Sequence, residues 1–338
     1  MRPRHLLLFF VVSALSGSAY VVIKLAVTDL SPAVVACARA TLGATILLPL
    51  AGARGALSGL SLRKRQLIVL GFLEFAAPFL LLSAGSQWIA SSLAGILMAA
   101  GPLFMALFAL RLDASERVST ARMVGLIIGM TGVICLLGVT VAGRALELAG
   151  AGIVVLASCS FALGALYFKR HFDEVPPLGA MAGAMTFGAL LLVPPAALAL
   201  PAHLPTGSTI AAVGVLGIVH AALNYVLFFA LVQLVGAGRA SVTSYLSPAI
   251  AVLLGLAVLG EPADGGLVAG LLLIIAGSWL ATGGKLPPGP FVAARVPAPG
   301  RHPDAAPPAP PGVQQRRLSS PLGPPPTVTS AGQPHRLA

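Results

Sequence analysis

The chain has 338 residues, 57% of them hydrophobic and only 9% Asp, Glu, Lys or Arg, with a formal net charge of +11. Soluble domains carry about 25% charged residues, so this composition excludes a soluble enzyme. The basic excess is scattered between apolar runs instead of gathered on one face, which excludes a nucleic-acid partner.

A helix crosses the hydrocarbon core with about 20 predominantly apolar residues. Ten such spans are predicted, at 6–27, 32–51, 66–84, 91–110, 122–142, 149–168, 178–200, 210–232, 240–259 and 265–283. The first follows Arg2 and Arg4 as a signal peptide would, but it stays apolar to Val27 and nine spans follow, so it reads as a retained helix. It carries Ser13, Ser16, Tyr20 and Lys24 at increments of three, four and four, which puts all four on one helical face. A polar stripe on an apolar helix faces a cavity or a helix–helix seam, and cavity lining is the expectation here. In the second span Arg39 lies about seven residues deep. Its fork of donors suits a substrate carboxylate, although it can equally anchor carbonyls or reach toward headgroups.

The third span holds Glu74 and the eighth holds His220, with Asn224 one turn further on. A charge at membrane depth costs about 2.5 to 3.5 kcal/mol on insertion scales, so it needs a partner or a purpose. Glu74 and His220 are candidate proton-coupling groups, provided their surroundings bring their ionisation toward neutral pH. The alternative is that Glu74 pairs with Arg39 or Lys24 and that His220 is a satisfied interior histidine. Pro102 in the fourth span and Pro248 in the ninth each free a carbonyl one turn earlier and are expected to kink their helices. Tyr245 lies beside Ser244 and Ser247 in the ninth span and joins the candidate lining. Gly125 and Gly129, like Gly266 and Gly270, form small faces for close packing, either within one chain or between two copies. The assembly is thus a monomer or a homodimer. Cys37, Cys135 and Cys159 all lie in apolar runs without CxxC spacing or a paired His, which points to packing and to no disulfide framework or metal site.

Twelve Lys and Arg residues of the loops and leading segment fall on one side of this arrangement and only Arg144 on the other, which predicts cytoplasmic termini and a multi-pass cell (inner) membrane location. The last 55 residues contain 15 of the 28 prolines and are expected to form a disordered cytoplasmic tail, 284–338.

Shifting the chain against itself by about 145 residues aligns Ser13 with Ser158, Lys24 with Lys169, Glu74 with His220, Pro102 with Pro248, and Glu116 with Glu261. Each unit has five spans, an odd number, so the second must run through the membrane in the opposite sense. The expected fold is an all-α membrane protein, ten transmembrane helices as two inverted five-helix repeats over 1–142 and 149–283. Inverted repeats of this kind place a substrate site near the midplane between the halves.

The segment Gly17-Ser18-Ala19-Tyr20-Val21-Val22-Ile23-Lys24, Arg39, Ala237-Gly238-Arg239-Ala240-Ser241 leading to Ser247-Pro248, and Leu259-Gly260-Glu261-Pro262 together resemble the ten-helix EamA-type members of the drug/metabolite transporter superfamily. Ser16 stands where that family usually has Trp. The resemblance implies a secondary active transporter, an exporter of amino acids or similar small metabolites, working by alternating access without a cofactor. The candidate substrate residues are Ser13, Ser16, Tyr20, Arg39, Glu74, His220, Asn224 and Tyr245, with protons as the candidate coupling ion and a lipid bilayer as surroundings. No GxxxxGK[ST] motif occurs, so ATP hydrolysis is not expected. The competing readings are a drug or multidrug efflux carrier of the same fold and a membrane-embedded transferase using acids such as Asp173, Glu174 or Glu261.

Overall fold

The computed structural model of the chain describes residues 3–112, 120–136, 144–236, 240, 243–262 and 265–281. Among them ten helices follow one another: α1 (Pro3–Ala26), α2 (Pro32–Ala53), α3 (Lys64–Gly85), α4 (Ser91–Met98, continued by Gly101–Leu112), α5 (Thr120–Cys135), α6 (Ala145–His171), α7 (Pro177–Leu198), α8 (Gly207–Val235), α9 (Thr243–Leu259) and α10 (Gly265–Ala281). Seven of them, α1 to α4 and α6 to α8, are long and apolar enough to cross a membrane, and the described parts of α5, α9 and α10 are shorter apolar helices. The described residues contain no strand. The chain is an all-α membrane protein. Glu116, Arg239, Ser241, Asp264 and the Pro-rich tail lie outside the described residues.

Local chemistry sets the helix ends. Ser31 accepts the Val34 N–H and Pro32 follows it, which is the preferred order for opening α2. Thr206 accepts the Thr209 N–H at the head of α8. Gly236, with φ of 80°, and Gly260, with φ of 64°, take up the left-handed region just past the ends of α8 and α9, where a side chain would be strained.

Polar contacts between loops fix the alternation of the helices. Lys24, near the end of α1, reaches the carbonyls of Ser86, Gln87 and Ile89 between α3 and α4. Ser31, opening α2, donates to Ala199 just past α7. Asp29 accepts from Thr206, which opens α8, and Glu261, just past α9, accepts from the head of α4. All of these lie on one face. The N-terminus of α1 begins on the other, where Arg63 at the head of α3 donates to the His171 carbonyl closing α6. Equivalent helices of the two five-helix units therefore run in opposite senses.

Packing repeats the same symmetry. Contacts of α1 with α9 are answered by α4 with α6, and those of α2 with α8 by α3 with α7, while α2–α7, α4–α9 and α5–α10 pair equivalents across the pseudo-axis. The seam of small residues lies within the chain. A Cβ at Gly277 of α10 would strike the backbone of Gly129 in α5, and one at Gly132 would press on Leu273 and Ile274. Two large apolar cores result, one including Ile23, Leu97, Leu103 and Ile274, the other including Leu47, Phe75, Phe168 and Met185, with a small third around Val12, Leu231 and Ala240.

Candidate functional site

Between these cores lies a cavity of about 300 Å³ walled by α1, α2, α3, α4, α6, α8 and α9. Tyr20, Phe79, Phe161, Tyr225 and Phe228 give it a largely aromatic wall, into which Ser16, Arg39, Glu74, His220 and Asn224 bring polar groups. The wall runs on to Met105, Phe228, Thr243 and Ser244, toward the face that carries the N-terminus. At the opposite face the loops are tied together as described above.

Two local departures from α-helix shape the wall. Phe72–Ala76 of α3 and Leu216–Leu223 of α8 are π-helical, and they hold Glu74 and His220, the residues that the repeat aligns. A π-turn widens the helix and leaves backbone carbonyls in need of donors, and such turns are concentrated at functional sites. Ser160 of α6 supplies one donor, to the Leu73 carbonyl at 2.8 Å. One turn along α6, Gly164 leaves the space in which the Glu74 carboxylate sits, since a Cβ there would collide with Glu74 Oε2. Glu74 is only 2% exposed and its Oε2 has no hydrogen-bond partner.

Arg39 lies with its guanidinium carbon 4.0 Å from the centre of the Phe79 ring, and its Nε has no partner. The aromatic ring covers one face of the fork and stabilises the cation, while the edge bearing Nε–H stays available. The pairing of Glu74 with Arg39 or Lys24 is not what the structure contains. Lys24 donates to Ser86 O and Ile89 O, both at 2.8 Å, closing the end of α3 where helix carbonyls lack partners. Lys24 thus leaves the polar stripe for the membrane face, and among the described residues neither Arg39 nor Glu74 has an ion-pair partner. Tyr225 lines the same cavity as both.

His220 is 4% exposed, with Nδ1 3.2 Å from Val215 O and Nε2 3.0 Å from Ser18 Oγ of α1. Asn224 donates to Ser16 Oγ at 3.1 Å, again joining α8 to α1, and its Oδ1 has no partner. Six of the expected lining residues, Ser16, Tyr20, Arg39, Glu74, His220 and Asn224, thus share one wall. Two do not. Ser13 is fully buried and donates to the Phe9 carbonyl in its own helix, so the stripe on α1 leaves the cavity there. Tyr245 is absent from the wall, which α9 forms with Thr243, Ser244, Ser247 and Pro248.

The two prolines behave differently. Before Pro102, α4 breaks at Ala99 and Ala100, and the Met98 carbonyl, four residues before the proline that lacks an N–H, accepts from Ser158 of α6 at 3.3 Å. Pro248 sits inside α9, which continues through it as helix from Thr243 to Leu259. The sequence signals for Ser18, Ser160 and Gly164 were weak, because each acts on a side chain or carbonyl of a distant helix.

Two carboxylates hold the face opposite the N-terminus. Asp29 accepts the Thr206 N–H at 2.8 Å and meets His203 Nε2 at 3.2 Å, and the backbone hydrogen bond, followed by that to His203, pulls its pKa down to about 2. Glu261 accepts the backbone N–H groups of Ser91 at 2.6 Å and Ser92 at 2.9 Å. Burial alone would raise the Glu261 pKa, but the hydrogen bonds from Ser92 and Ser91 outweigh it and the net shift is downward. Both contacts tie the first repeat to the second.

Residues 4–138 and again 148–283 match the family described as EamA-like transporter family. A protein named as the uncharacterized inner membrane transporter YedA of Escherichia coli (strain K12) is 32% identical over 307 residues, covering 83% of this chain and 94% of YedA. An uncharacterized transporter of Archaeoglobus fulgidus is 24% identical over 270 residues, covering 78% of this chain and 93% of its own length. A protein crystal structure aligns with a TM-score of 0.59 and 20% identity over 84% of this chain and 98% of that one, a likeness of fold.

Proposed function

Since the chain belongs to the EamA-like transporter family, we propose that it is a secondary active transporter that exports amino acids or similar small zwitterionic metabolites by alternating access. The observation that carries this reading is the pair of interior charges on one cavity wall, Arg39 and Glu74, each with an unpartnered polar atom. A guanidinium edge suits a carboxylate and a buried carboxylate suits an ammonium group. Between them the aromatic wall accepts an apolar side chain. A cavity of about 300 Å³ is of the size that small-molecule sites occupy.

The loop contacts support the alternating-access reading. The contacts of Asp29, Ser31 and Glu261 close the face opposite the N-terminus, and the cavity wall extends toward the N-terminal face. The one-sided distribution of Lys and Arg supports a cytoplasmic side for that face and for both termini. On this reading, release outward requires those inter-repeat contacts to part. Glu74 and His220, at equivalent places in the two repeats, are the groups that exchange protons with substrate movement.

The transferase reading lacks support from its carboxylates. Glu261 is occupied by the head of α4, and His171, beside Asp173 and Glu174 in sequence, stacks on Tyr167 and bonds to its carbonyl. The direct test is counterflow in proteoliposomes with a panel of labelled amino acids and nucleosides. Saturable counterflow of zwitterionic amino acids that decarboxylated analogues fail to compete supports the reading, and preference for the decarboxylated amines would overturn it.

A further inference from the structure

Ser18 of α1 touches His220 of α8 across the boundary between the two repeats, its Oγ 3.0 Å from Nε2. The same hydroxyl lies 3.2 Å from the Leu15 carbonyl oxygen, and His220 Nδ1 lies 3.2 Å from the Val215 carbonyl oxygen. A carbonyl oxygen only accepts, so Nδ1 carries a hydrogen in either charge state. In the neutral ring Nε2 is then a bare lone pair, and Ser18 fills it by turning its O–H away from Leu15. In the imidazolium Nε2 carries a hydrogen, Ser18 Oγ accepts it, and the serine hydrogen returns to Leu15 O. Both states are satisfied with every heavy atom in place, and one hydroxyl rotor distinguishes them.

We propose that Ser18 is a positioning residue that covers the titrating nitrogen of His220, so that its proton exchanges with cavity water only when α1 and α8 part. This rests on the reading of His220 as a coupling group. During one release, α1 moves off, the Nε2–H bond breaks, the proton passes to water, and the electron pair stays on nitrogen. On return the Ser18 O–H donates to that pair. Proton exchange is thereby tied to the relative movement of the two repeats, which is what a coupled carrier requires and a leak lacks. The titratable and charged groups that share the cavity wall with His220 are Arg39 from α2, Tyr20 from α1, Tyr225 along α8 and Glu74 from α3; Lys24 of α1 is held by carbonyls at the membrane face.

Carbethoxylation by diethyl pyrocarbonate attacks an uncovered, unprotonated imidazole nitrogen. On the purified full chain in detergent, read by peptide mass at neutral pH, His220 is expected to react more slowly than His203, whose side chain is 69% exposed. Ser18→Ala should raise the His220 rate about fivefold, as loss of one covering hydrogen bond allows, with His203 unchanged, and Ser18→Thr should restore protection. Wild-type His220 reacting as fast as His203, or an unchanged rate in Ser18→Ala, would overturn the covering contact, and neither outcome depends on transport. In proteoliposomes Ser18→Ala should flatten the pH profile of phenylalanine counterflow. A wild-type profile in a variant with His220 uncovered would overturn the gating step while leaving the transporter reading standing.

Discussion

The two interior charges are held apart by separate devices. Phe79 covers the Arg39 guanidinium, and Gly164 makes room for the Glu74 carboxylate. A methyl group at 164 must displace that carboxylate or shift α6 away from α3. Gly164→Ala is therefore expected to cost about 1–3 kcal/mol by overpacking, seen as a lower melting temperature in detergent. Gly152→Ala on the same helix, where a Cβ meets open space, should be near neutral. Ala is the better helix former, so an equal loss in both would mean that something other than the Glu74 contact sets the cost. Glu74→Gln keeps the volume and removes the charge. Substrate counterflow should fall about tenfold, the usual scale for losing a hydrogen bond to a charged group, and stimulation by an imposed pH gradient should disappear. Undiminished gradient-driven flux in Glu74→Gln would end the coupling role of this residue. At this scale the sequence exposed the charges and their helical faces, since an ionised group in an apolar run stands out. It did not expose their partners. Lys24 shares the α1 stripe with Ser16 and Tyr20, yet its four-carbon stem carries the ammonium past that face to the end of α3.

Helices were legible because about 20 apolar residues in a row admit few other readings in lipid. Their irregularities were not. A π-turn adds one residue to a turn and leaves hydropathy unchanged, so the segments around Glu74 and His220 carried no periodic mark. The proline at 102 was visible, but the break at Ala99–Ala100 depends on Ser158, sixty positions away, offering its hydroxyl to the freed carbonyl. Ser13, the repeat partner of Ser158, turns to Phe9 instead, so matched residues in the two halves have taken different work. The connection between the α1–α2 and α7–α8 loops is likewise tertiary, and it rests in part on the Asp29 carboxylate. Because the Asp29 pKa falls from 3.8 to about 2 on folding, its contribution is present in full above about 3.8 and lost as pH drops through about 2. The melting temperature of Asp29→Asn should accordingly lie below that of the wild type at neutral pH, with the gap closing as the solution is acidified across this window. A gap that persists to the acid end would assign the effect to side-chain shape and not to charge.

At the scale of the whole molecule, the proposed alternating access rests on duplication. Five helices per unit reverse the second unit, and the contacts α1–α9 and α4–α6 become two copies of one interaction. Ties across the repeats stand at both faces, through Asp29, Ser31 and Glu261 at one and through Arg63 and the His171 carbonyl at the other, with the cavity between them reaching Met105 and Thr243 on the side of Lys64 and Lys169. If the charge distribution sets orientation, the first face is external and the second cytoplasmic. Cysteine placed at exposed position 203 or 64 of a cysteine-free chain makes this measurable in intact cells. An impermeant maleimide should modify His203→Cys at once and Lys64→Cys only after the membrane is opened. The reverse pattern would turn the protein over, and labelling of both from outside would contradict the alternation itself, because the five helices α3 to α7 lie between these positions, an odd number of crossings. The same assay links shape to transport. Loosening the external contact through Asp29→Asn should speed modification of a cysteine at Tyr20, on the cavity wall, from outside, whereas a contact with no gating role would leave that rate unchanged.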